Sequence, residues 1–124
     1  MSSTPFERLG GETKLRVILS AFLDRVVHDM IIGFFFQNID RAQLLEREFE
    51  LASQHLGGPH RYQGRPLEKV HQPHRINTGQ FHRRLWLLEQ TLQRHQVDPD
   101  IIDEWLGRER KLLHVITTGK DCDE

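Results

Sequence analysis

Apolar residues recur along the chain at helical spacing. Between residues 13 and 30 they fall at Leu15, Ile18, Leu19, Phe22, Leu23, Val26 and Val27. This is the i, i+3, i+4, i+7 pattern of an amphipathic helix. Gly10-Gly11 just before it reads as a tight turn that ends a short lead-in over residues 1–12. Residues 31–36 hold three adjacent phenylalanines, Phe34, Phe35 and Phe36, which cannot all face one side of a regular element. A buried corner between helices suits them. Asp40 is a good N-cap for a second helix over residues 40–55, and Gly57-Gly58-Pro59 stops it.

Residues 60–65 read as loop, and residues 66–71 as a short helix with Pro66 in its first turn. Pro73 discourages continuation. Asn77 or Thr78 caps a long helix over residues 79–96, with Phe81, Leu85, Leu88 and Leu92 on its apolar face. Asp98-Pro99 opens the last helix, carrying Ile101, Ile102, Trp105, Leu106, Leu112, Leu113 and Ile116, with Gly107 a candidate bend. No stretch alternates as a strand does, and no repeat is visible. The expected fold class is all-α. A single domain over residues 13–118 is expected, followed by a disordered tail over residues 119–124.

Composition narrows the function classes. The chain has 124 residues, 17 Lys and Arg against 18 Asp and Glu, and a net charge of -1. That balance argues against a general nucleic-acid binder, which carries a strongly basic face. No apolar run reaches the roughly 20 residues that span a bilayer, so no membrane role is expected. The opening residues lack a signal peptide's apolar stretch, and the one cysteine, Cys122, has no internal partner. A cytoplasmic protein, monomeric or weakly dimeric, is the resulting expectation.

Eight histidines stand out. His60, His74, His82 and His95 neighbour Arg, Pro or Gln and read as surface groups. No His-x-x-x-His pair encloses a Glu, and no Cys-His set is present, so zinc has little support. Two positions strain a plain helical bundle. Glu48 and His55 both fall inside the apolar arc formed by Leu44, Leu45, Phe49, Leu51, Ala52 and Leu56. For His55 the simple reading is a helix-end side chain bonded to a free carbonyl. A carboxylate on a core-facing stripe must be paired, protonated or turned to a polar cavity. Arg47 and Arg75 are the candidate partners for Glu48. His71 closes Leu67-Glu68-Lys69-Val70-His71, and its residues alone leave open a satisfied core or surface histidine or a metal ligand.

Several ordered motifs resemble those of group I truncated haemoglobins. They are Phe6-Glu7-Arg8-Leu9-Gly10-Gly11-Glu12, Phe34-Phe35-Phe36, Leu56-Gly57-Gly58-Pro59 with Tyr62-Gln63-Gly64-Arg65, Val70-His71, and Ile76-Asn77-Thr78-Gly79-Gln80-Phe81. No gap is needed between Phe22 and Phe81. The resemblance implies a two-over-two helical sandwich around a b-type haem, with His71 as the protein ligand to iron. It implies apolar haem contacts from Phe36, Leu44, Leu67, Val70, Ile76, Phe81 and Trp105. Arg47, Lys69, His74 and Arg75 are candidate partners for the propionates.

The departures lie on the distal side, opposite the axial histidine. Many relatives place a tyrosine where this chain has Leu23, and a supporting glutamine where it has Glu48. Leu44 and Arg47 take two further distal positions, one commonly polar and one that in some relatives is a histidine serving as a sixth ligand. Leu23 and Leu44 offer no hydrogen-bond donor, and a glutamic acid donates only when protonated. Glu48 is therefore expected to be the one polar distal group. The resemblance implies a protein that binds oxygen, carbon monoxide or nitric oxide. Alternatives are a nitric-oxide dioxygenase served by a separate reductase, a peroxidase-like enzyme using Glu48 as acid and base, a gas sensor with a separate output partner, and a globin fold without haem.

Overall fold

In a computed structural model, residues 3–63 and 77–112 are described. They form five α-helices and one short 3-10 turn, with no strand among them. The expected short helix over residues 66–71 and the tail over residues 119–124 lie outside the described residues, as do Leu113 and Ile116.

The lead-in is more ordered than its turn signal suggests. Pro5–Leu9 forms helix α1. Thr4 caps it reciprocally with Glu7, each side chain taking the other's backbone N–H. Gly10, at φ 125°, and Gly11, at φ 76°, then make the predicted turn. Helix α2, Gly11–Val27, buries Leu15, Ile18, Leu19, Phe22, Leu23 and Val26, the stripe read from the pattern. It ends about one turn short of the expected residue 30. The His28 ring sits 2.8 Å from the Asp24 carbonyl oxygen, and Asp29 accepts from the amides of Ile31 and Ile32. These local bonds replace the next helical turn.

Gly33–Phe36 is the 3-10 turn at the aromatic corner. A Cβ at Gly33 would lie 2.7 Å from the Val27 carbonyl oxygen, so the corner closes on α2 only because this residue has none. The corner is not wholly buried as expected. Phe35 and Phe36 pack on the core, while Phe34 is 55% exposed. Three consecutive side chains on a 3-10 turn point about 120° apart, so one must face outward.

Asp40 caps helix α3, Arg41–His55, by accepting from the amides of Ala42 and Gln43. Gly57, at φ 80°, turns the chain after it. At Gly58 a Cβ would meet Ser53 Oγ and, at 2.6 Å, the Phe6 ring, which explains the second glycine of that pair. Asn77 and Gln80 form a capping box on helix α4, Thr78–Arg94. Helix α5, Pro99–Lys111, begins at Asp98 with Pro99 in its first turn.

The packing is two pairs of helices. α2 lies on α3, and α4 lies on α5, while α2–α4 and α3–α5 contacts join the pairs. Between them sits one apolar cluster that includes Phe22, Phe49, Phe81, Leu88 and Trp105. Each such fully buried side chain contributes about 1.5–3 kcal/mol relative to exposure.

Candidate functional site

The residues expected around a haem divide into two groups. Leu23, Phe81 and Trp105 are buried in the common cluster, and Phe36 and Leu44 are half-buried against it. These five come from α2, the 3-10 turn, α3, α4 and α5, so packing brings together positions spread over 83 residues of sequence, from 23 to 105. His71, Leu67, Val70, His74 and Ile76 lie outside the described residues, as do Lys69 and Arg75.

The polar positions are arranged differently from expectation. Arg47 is bonded to Glu50, one turn along its own helix, at 2.8 and 3.1 Å. It is therefore not the partner of Glu48. That partner is Arg84 of α4. Arg84 Nη1 and Nη2 donate to the two Glu48 oxygens, both at 3.1 Å, in a bidentate pair. The same guanidinium donates from Nη2 at 3.1 Å and Nε at 3.3 Å to Glu109 of α5. It also stands over the Phe22 ring at 5.1 Å.

All three charged side chains are largely removed from water. Exposure is 16% for Arg84, 17% for Glu48 and 2% for Glu109. Burial by itself would lower the Arg84 pKa, but the charges of Glu109 and Glu48, with their hydrogen bonds, outweigh it and hold the guanidinium above its ordinary value. His55 completes the cluster. Its Nε2 lies 3.7 Å from Glu109, too far for a hydrogen bond, and has no bonded partner. The expected bond from His55 to a helix-end carbonyl is absent, because the ring turns inward toward Glu109. Burial pushes its pKa down, and the Glu109 charge only partly opposes this.

Arg84 and Glu109 were missed by sequence reasoning, although a signal was present. Arg84 falls one turn from Phe81 and Leu88 on the apolar stripe of α4. Glu109 falls one turn after Trp105 on that of α5. With Glu48 on α3, three apolar stripes each carry one charge, and the signs allow a cation between two carboxylates. His60 also departs from the surface reading. It packs edge-on against Phe49 at 4.6 Å between ring centroids and bonds with Ser53. His82 is exposed as expected.

The comparisons with known proteins agree with this architecture. The model of the bacterial-like globin family matches residues 4–118. The chain belongs to the truncated haemoglobins of that family. A group 1 truncated haemoglobin of Mycolicibacterium paratuberculosis is 31% identical over 115 residues, covering 93% of this chain and 85% of that one. The crystal structure of the ferric truncated haemoglobin of Tetrahymena pyriformis superposes with a TM-score of 0.88 at 23% identity, covering 94% and 99% of the two chains. The cyanomet 2/2 haemoglobin of Synechococcus, which carries a covalently attached haem, superposes with a TM-score of 0.78 at 28% identity, covering 90% and 98%. The expected two-over-two fold is thus the fold observed. Membership of this family implies haem-based binding of gases. No described helix is long and apolar enough to cross a membrane.

Proposed function

We propose that this chain carries a b-type haem, with His71 as axial ligand, and reversibly binds oxygen, carbon monoxide or nitric oxide at its iron. The observation that carries the reading is the apolar cluster containing Leu23, Phe81 and Trp105, edged by the half-buried Phe36 and Leu44, inside a truncated-haemoglobin fold. Phe36 and Leu44 leave part of their apolar area uncovered at the edge of that cluster. A flat, largely apolar macrocycle fits against that edge, because covering it removes hydrocarbon from water.

When bound, the haem would supply an iron that takes up a diatomic gas. The chain's own residues do the rest. His71 contributes one neutral imidazole from the segment between α3 and α4. Phe36, Leu44 and Phe81, with Leu67, Val70 and Ile76, would hold the ring by apolar contact and exclude water. His74 would serve as a propionate partner, whereas Arg47 is already bonded to Glu50. A cytoplasmic setting suits this reading.

Hemin titration tests it, for the wild type and His71→Gly, in ferric, reduced and carbon-monoxide forms. The expected result is a Soret band that saturates at one haem per chain. The variant should lose the normal ferrous carbon-monoxide spectrum and recover it with added imidazole. Weak, unsaturable binding, equal in both proteins, would overturn the assignment and leave the globin fold acting through its surface.

A further inference from the structure

We propose that Arg84, clamped between Glu48 and Glu109, is the distal hydrogen-bond donor to a bound ligand. This inference rests on the haem reading above, and it names the residue that determines which gas is held.

The geometry is that of a positioned donor. Glu48 lies one turn from Leu44 on α3, on the stripe assigned to the distal side. Arg84 reaches that stripe from α4 and binds both Glu48 oxygens. In this arrangement Glu48 accepts, so the expected role of Glu48 as donor passes to the cation that holds it. Leu23 and Leu44 have no polar side-chain atom, and Arg47 is held by Glu50, so Arg84 is the charged donor fixed against the Glu48 stripe.

A guanidinium has five N–H groups. The four bonds to Glu48 and Glu109 use one hydrogen on Nε, one on Nη1 and both on Nη2. The second Nη1 hydrogen has no bonded partner among the described residues. The side chain cannot swing away easily. Two carboxylates on different helices hold it, and the Phe22 ring, next in sequence to Leu23, lies beneath it. Such a donor is held in place before a ligand arrives.

A neutral diatomic meets the Arg84 N–H once binding has drawn negative charge onto its outer atom. Oxygen does this far more than carbon monoxide. Arg84 therefore favours oxygen over carbon monoxide, and Glu48 and Glu109 act as positioning residues.

The test compares holoproteins of the wild type, Glu109→Gln, Arg84→Lys and the pair Arg84→Met with Glu109→Gln. The paired change avoids stranding Glu109, which is 2% exposed, without its cation. Two quantities are read: the oxygen and carbon-monoxide dissociation rates, and the infrared stretch of bound carbon monoxide, which reports the field at its oxygen. Loss of a charged donor should speed oxygen release by about tenfold or more, with little change for carbon monoxide. The carbon-monoxide stretch should rise in the paired variant relative to Glu109→Gln alone. Arg84→Lys, which keeps the charge on a different reach, should fall between, and it serves alone if the paired variant does not fold. If hemin saturates at one per chain but neither reading moves on changing Arg84, this inference is overturned while the haem assignment stands. If the wild type takes up no hemin, both fall.

Discussion

At the residue scale, the Arg84 cluster shows how a carboxylate on a core-facing stripe is accommodated. Removing one charge from water costs several kcal/mol, and this cost is met only by good geometry and shared hydrogen bonds. Arg84 satisfies Glu48 and Glu109 together, with four bonds between 3.1 and 3.3 Å. His55 is the member left without a bond. Its pKa is lowered by burial and by Arg108 and Arg84, against the raising effect of Glu109 and Glu48. Unfolded His55 titrates at its ordinary value near 6.5 and the folded residue titrates lower. Between those values the unfolded chain binds the extra proton. The His55 contribution is therefore fully present above about pH 6.5 and declines as pH falls toward the folded value. Urea unfolding between pH 8 and pH 5 should show a shallower loss of stability in His55→Gln than in the wild type. Equal slopes would mean the ring takes up its proton as readily in the folded protein.

At the element scale, the caps account for where helices begin. Asp40 and Asn77 were legible because short polar side chains precede an apolar stripe, and each accepts the amide bonds expected of it. Helix α1 shows no period in the sequence, because five residues give too few positions for one. Its signal lay in Thr4-Pro5 with Glu7, a capping box. Asn77 bears a particular burden, since its box starts α4, the helix that carries Phe81 and Arg84. Asn77→Ala should lower stability by about 1 kcal/mol, read as a lower urea midpoint at unchanged m-value. A midpoint within error of the wild type would show that packing of Phe81 and Leu85 alone holds the N-terminus.

At the scale of the whole molecule, α2 and α3 against α4 and α5 enclose one apolar cluster in a chain of 124 residues. A chain this short buries a smaller share of its surface than a larger domain, so a tightly held apolar group adds appreciably to its stability. Hemin binding to the folded chain alone should raise the thermal midpoint. At free hemin 1,000 times its dissociation constant the gain is about 4 kcal/mol. Differential scanning calorimetry at several hemin concentrations checks this. A midpoint independent of hemin would contradict a site built into the folded core.

The sequence by itself determined the all-helical class, the stripe on each long helix, the glycine turns at Gly10 and Gly57, and the apolar residues that meet in the core. These follow from local rules, in which period, cap and turn chemistry act within a few residues. Only the tertiary structure decided the partner of Glu48. Arg84 is 36 residues away from Glu48, and Glu109 a further 25. Nothing local links them. Each is an anomaly on its own helix, and the anomalies resolve only when three stripes pack together and bring opposite charges into one dry space. Local periodicity reports which side chains turn inward, while the pairing of inward charges depends on how the helices cross.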